Sequence, residues 1–190
     1  MHEIRSDSPG LERLYQAQTQ HEYVNIERSI EGADRVTGYV VGVGSDWLLV
    51  SVYDNGAANG WVSLRIDDVA DVSPAPGGQF VRRGLEYRRS WPARPPGTPL
   101  TLSSGPLALT LSAASAFPLV TLFAEGEDPY HFFLGRPVSW TTERMHWQEM
   151  NVAAGWEEEP VEWVLDSVTR VDIGGRYQAA LARVAQLRGI

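Results

Sequence analysis

Four histidines, a set of aspartates at expected strand ends and a cluster of arginines are the side chains with which this chain could do chemistry. The histidines are His2, His21, His131 and His146, and none stands in an HExxH or HxH spacing. The chain has no cysteine, so it offers no thiolate nucleophile, no Cys metal site and no disulfide framework. His131 and His146 fall on the two arms of an expected hairpin, where they could meet. A hydrolase using His131, His146 and nearby acids is therefore the one catalytic arrangement the spacing offers. Against it stands the ordinary reading of two structural strand histidines. Asp67, Asp68 and Asp166 resemble a carboxylate set, but each stands in a turn closing a strand, where aspartate caps local backbone N–H groups. The GVGSD stretch, Gly42 to Asp46, lacks the GxGxxG spacing and lies between strands, and GxSxG is absent. The chain reads as non-catalytic, with no cofactor and no metal.

Binding chemistry is better represented. In FVRRGLEYRRSWPARPPG, Arg82, Arg83, Arg88, Arg89 and Arg94 face only Glu86, with Phe80, Tyr87 and Trp91 interleaved. Arginine beside aromatics can contact phosphates and stack on bases. The alternative is a surface strand whose arginines pair with acids elsewhere, Glu157, Glu158, Glu159 and Glu162 being the obvious partners. Of seven tryptophans, Trp47, Trp61, Trp147 and Trp163 fall in expected strands, while Trp91, Trp140 and Trp156 lie near loops. Trp91 and Trp156 are expected to be partly exposed, as interface aromatics are. Arg82, Arg83, Tyr87, Arg88, Arg89, Trp91 and Trp156 are thus the candidate contacts for a partner protein or RNA. A net charge of −8, with all 16 basic residues arginine, argues against general nucleic-acid binding. The MHEIRSDSPG start has no apolar h-region, and no run reaches the ~20 apolar residues of a membrane span. The expectation is a cytoplasmic protein with no membrane association.

Several elements must position these residues. Pro9 at the first helical position, then Leu11, Leu14 and Tyr15, predicts a helix to about Gln20, capped by Ser8, after polar residues 1 to 8. Val24, Ile26, Arg28 and Ile30 alternate as in a strand; strands follow over 35–43, 47–53 and 61–66, with the loop Asp54 to Gly60 between the last two. A Pro/Gly linker, 74–78, leads into the arginine strip, and a second Pro-rich loop ends at Pro99. Ser104 and Pro106 favour a helix over 104–117. Strands are expected over 119–123, 130–138, 142–150 and 161–165. The RYQAALARVAQLR segment then predicts a helix with Tyr177, Leu181, Val184 and Leu187 on one face.

Two stretches repeat one plan. Gly38 to Val72 and Gly135 to Val171 each run glycine, strand, turn, strand, loop, strand, turn. Their closing Asp67, Val69 and Val72 match Asp166, Val168 and Val171. Duplication of one small β unit is the expectation. The order of helix, strand, Gly32 and Gly38, strands, then LRIDDVADV resembles the Sm-like small β-barrel over about 60 N-terminal residues, and more loosely over 119–175. That resemblance implies bent antiparallel strands in a barrel. The RNA-binding residues of that family are not matched, since Gly44 and Leu48 stand near one pair and Ile66 and Asp67 follow Arg65. The closing DSVTRVDIGGRYQAALARVA resembles that of an uncharacterised bacterial family with no established activity. The fold expected is therefore β-rich α+β, two Sm-like or SH3-like small antiparallel barrel units with N-terminal, central and C-terminal helices. Its boundaries are 1–73, an Arg/Pro-rich connector 74–99, and 100–190. Pairing between the halves implies a monomer or small oligomer rather than a ring. The function expected is a non-catalytic protein-binding or adaptor role, regulatory or immunity-type, with RNA binding through Arg82 to Arg94 as the alternative.

Overall fold

The computed structural model describes residues 9–187; the expected Ser8 cap and polar residues 1 to 8 lie outside that range. Helix α1 spans Pro9–Thr19, and strands β1 (Tyr23–Arg28), β2 (Val36–Val43), β3 (Trp47–Asp54) and β4 (Ala57–Arg65) follow. A 3₁₀ turn, Ile66–Asp68, leads to β5 (Val69–Pro74) and helix α2 (Gly78–Tyr87). The same sequence of elements then recurs: α3 (Gly105–Ala116), β6 (Val120–Phe123), β7 (Phe133–Trp140), β8 (Arg144–Glu149) and β9 (Val161–Val164). A second 3₁₀ turn, Leu165–Ser167, β10 (Arg170–Ile173) and α4 (Arg176–Leu187) complete it.

The two closed barrels expected from the sequence are not formed. All ten strands make one open antiparallel sheet in the order β5-β1-β2-β3-β4-β10-β6-β7-β8-β9. The physical reason lies at β4. Its outer edge does not return to β5 but is taken by β10, with Leu64 opposite Arg170 and Trp61 opposite Ile173. Each half keeps the same internal order, its last strand beside its first, and the second half's last strand forms the seam.

The correspondence extends to single hydrogen bonds. The turn before β3 is closed by Gly44 N–H to Trp47 O at 2.8 Å, and the turn before β8 by Thr141 N–H to Arg144 O at 2.8 Å. Ile66 N–H donates to Asp46 O at 2.9 Å, and Leu165 N–H to Glu143 O at 2.9 Å. Gly38 and Gly135 occupy matching places in β2 and β7, and a Cβ on either would lie 2.3 or 2.1 Å from a carbonyl oxygen of the next strand. Two residues beyond each glycine the register slips, at Val40/Gly42 and at Pro137/Ser139. Such a bulge bends and twists the strand.

Each half has two cores because the strands alternate their side chains between faces. On one face of the sheet, α1 buries Leu14 and Ala17 against Val24, Ile26, Leu48, Val50 and Leu64, and α4 buries Leu181, Ala182 and Ala185 against Leu119, Leu134 and Met150. On the other, α2 buries Val81 and Leu85 against Tyr39, and α3 buries Leu109 and Ala113 against Leu122, Met145, Trp147 and Val171. The buried side of α4 thus comprises Gln178, Leu181, Ala182 and Ala185, rotated from the face expected: Tyr177 and Val184 are exposed. No helix among the described residues is long and apolar enough to cross a membrane.

Candidate functional site

The arginine strip is a helix and a turn rather than a surface strand. Gly77, in the left-handed region at φ 82°, opens α2. Val81 and Leu85, four residues apart, fall on one helical face and bury it against Tyr39 and Ala93. Arg82 and Glu86 take a second side and pair at 2.8 Å, and the Arg82 guanidinium lies 4.8 Å over the Trp91 ring. The third side carries Phe80, Arg83 and Tyr87, at i, i+3 and i+7. Phe80 is 67% exposed and Tyr87 90%, while Arg83 has no ion-pair or side-chain hydrogen-bond partner among the described residues. Aromatic area of this kind, held open to water beside a free guanidinium, is the composition of an interface centre.

The remaining sequence candidates separate. Arg88 is exposed but donates to the Gly56 carbonyl at 2.6 Å, which ties α2 to the β3–β4 turn. Arg89, at φ 57°, and Arg94 are exposed. Trp91 is half-buried, edge-on to Tyr39 at 5.4 Å. Trp156 stands in the other half, packed beside Met150 and Ala154 with Arg136 4.5 Å over its ring. The acids expected to neutralise the strip do not reach it: Glu162 pairs with Arg144. The two histidines are not brought together either. His146 lies opposite Ser139, whose hydroxyl is 3.1 Å from Nδ1, and His131 precedes β7, stacked on Phe133 at 4.4 Å. No group of three or more metal-ligating side chains occurs among the described residues.

A polar cluster at the seam escaped the sequence reading. Arg28, at the inward position after Val24 and Ile26, is buried against Glu125 of the second half, Nη2 to Oε1 2.7 Å, and also donates to Asp34 O at 2.7 Å. Glu125 further accepts from the Thr169 hydroxyl at 2.9 Å. Beside them Arg170 forks onto Asp172 at 2.7 and 2.6 Å and lies 4.4 Å over Phe123. Burial pushes the Arg170 guanidinium down, but Asp172, with Glu125 and Asp34, outweighs it and leaves the group above its usual value. Burial raises the Asp68 carboxyl, against the opposing pull of Arg65 and Arg28. An open cleft of about 680 Å³ adjoins this cluster, lined by Asp34, Arg35, Trp61, Arg170, Asp172 and Gln178. The charges there are engaged with one another across the halves, so the cluster acts as a clasp. Its one legible signal was an arginine in an inward register of the β1 alternation.

Compared with protein-family models, with curated proteins and with solved structures, the chain finds no match in any of the three.

Proposed function

We propose that this chain is a non-catalytic protein-binding or adaptor protein that meets a partner through the outer face of α2. One observation carries the reading: Phe80, Arg83 and Tyr87 share a solvent-facing stripe while the opposite side of the same short helix is anchored by Val81 and Leu85. A helix fixed on the sheet presents these rings without further ordering, which lowers the entropic cost of association. Arg82 is paired with Glu86 and Arg88 donates an N–H to the Gly56 carbonyl, which leaves fewer guanidinium donors free for phosphates and favours a protein surface over a phosphate backbone. The matched element orders, turns and glycines further support reading the chain as an internal duplication of one unit.

The test is site-specific photocrosslinking in a lysate of the native host, with benzoylphenylalanine in place of Phe80, Tyr87 or, as a control on another surface, Tyr15. The expected result is one protein captured from both Phe80 and Tyr87 and not from Tyr15. The RNA alternative is checked with a short single-stranded RNA at about 50 and 200 mM salt, the interval over which phosphate-driven binding weakens strongly. Salt-dependent binding lost in Arg83→Ala/Arg89→Ala would overturn the protein reading.

A further inference from the structure

The seam shows what a partner strand looks like on this fold, and the far end of the sheet presents the same place empty-handed. At the seam, Arg65 N–H of β4 donates to Thr169 O at 3.3 Å, with Arg170 opposite Leu64 and Asp172 opposite Val62. The counterpart of β4 in the second half is β9. Trp163 lies opposite Met145 as Leu64 lies opposite Leu48, and the 3₁₀ turn follows in both. Yet β9 pairs only with β8 among the described strands. Backbone groups alternate between the two edges of an antiparallel strand. Leu165 N–H bonds toward β8, so those of Glu162 and Val164, the counterparts of Ser63 and Arg65, face the open edge.

A cavity of about 310 Å³ accompanies that edge, with Ala124, Phe133, Val161 and Trp163 as its apolar lining and the carboxylates of Glu127 and Asp128 beside them, the latter accepting the Tyr130 N–H at 3.0 Å on one oxygen. Ala124 stands where Arg28 fills the corresponding space of the first half, so the slot is open because the side chain there is small. Trp163 is buried, and its indole N–H has no acceptor among the described residues. Val161 and Val164 are 45% and 47% exposed, an unusual state for valine on a sheet end.

We propose that β9 accepts an extended segment of a partner protein as an eleventh strand, with an arginine or lysine opposite Trp163. The seam puts Arg170 at that place, and a cation there meets Glu127, Asp128 and the faces of Trp163 and Phe133. A second copy of this chain fits poorly. Its free end strand β5 would bring Asp71 to the position of Arg170, against two carboxylates, and Pro74, which has no N–H, to that of Ile173. The proposal shares with the α2 reading the class of partner but not the surface. A failure at Tyr87 leaves β9 standing, and a failure at β9 leaves α2 standing.

The experiment is fluorescence anisotropy with a labelled synthetic peptide of residues 167–175 carrying Asp172→Ser, so that Arg170 is its one charged side chain. Saturable binding is expected, weakened about tenfold or more when the peptide carries Arg170→Asp or the protein Glu127→Lys/Asp128→Lys, as reversal of a facing charge does. The protein variant Val164→Pro should abolish binding while leaving the fold intact. Val164 is at φ −80° and ψ 122°, which proline adopts, and only its outward N–H is removed. No saturable binding, or binding indifferent to Val164→Pro, overturns the proposal. So does a concentration-dependent oligomer in light scattering that Val164→Pro dissolves, since the slot would then belong to a second copy.

Discussion

Arg28 and Glu125 illustrate how much rests on single side chains here. Each is almost fully removed from water, so each depends on the other, on Asp34 O and on Thr169 for its hydrogen bonds. Arg28→Ala strips a buried carboxylate of its hydrogen-bonded counter-charge and leaves it only Arg170 at 3.9 Å, and breaking such a pair costs about 3–5 kcal/mol. The double variant Arg28→Met/Glu125→Leu removes both charges and should cost clearly less, a difference that urea unfolding followed by tryptophan fluorescence would read. A single-variant loss below that of the double would refute the clasp. Tyr39 gives a second handle. Its hydroxyl donates to Gly78 O at 3.1 Å, and burial, with Tyr53 and Tyr23 nearby, pushes its pKa up to about 12. The unfolded chain ionises this phenol near its usual value of about 10. The stability it contributes is therefore full below pH 10 and lost as pH rises through about 12. Tyr39→Phe should lower stability by about 1 kcal/mol at pH 8 through the lost hydrogen bond and flatten the fall in melting temperature above pH 10. An unchanged alkaline slope would assign that fall to other groups.

At the scale of elements, the glycines of β2 and β7 set the bend. Gly38→Ala would drive a methyl to 2.3 Å from Ser51 O, and Gly135→Ala to 2.1 Å from Gln148 O, neither of which a side-chain adjustment relieves. Each should destabilise by about 1–3 kcal/mol, the range for forced overpacking, while Gly77→Ala, which meets nothing within 4 Å, isolates the cost of its positive φ. Equal melting temperatures for Gly38→Ala and the parent protein would show that the strand has room to shift. These glycines were legible in the sequence, as were the closing Asp67-x-Val69 and Asp166-x-Val168 segments, because tight turns and close approaches restrict residue type. Helix α2 was not. Its Pro/Gly start resembles a linker, and the Val81–Leu85 spacing that buries one side is too short a period to stand out among five arginines. The path of β4 was illegible for a different reason. Strand alternation sets which face a residue takes but not which strand lies beside it, so a closed barrel and an open continuous sheet share one pattern. Arg65 held the missing information, since its guanidinium donates to the Asp166 carbonyl at 2.6 Å across the seam.

The whole molecule is therefore a sheet whose halves depend on a shared boundary. Trp47 and Trp61 of the first half pack in the core of the second, the β4–β10 ladder joins the backbones, and the Arg28–Glu125 clasp lies alongside. A boundary with apolar, hydrogen-bonded and ionic ties of this density couples the stabilities of both halves, since opening one exposes surface of the other. The seven tryptophans report on it from both sides, with Trp47, Trp61 and Trp91 before the seam and Trp140, Trp147, Trp156 and Trp163 beyond it. With fluorotryptophan incorporated, all seven resonances should lose native intensity at one urea midpoint. Two midpoints, split between the groups, would show the halves unfolding as separate domains in contact. Arg65→Ala then tests the coupling directly. It removes two seam hydrogen bonds, to the Asp166 and Val168 carbonyls, together with the guanidinium's contact with the Trp47 ring and its pairing with Asp68, so the common midpoint should fall for all seven together. A fall confined to Trp47, Trp61 and Trp91 would place Arg65 in the stability of the first half alone.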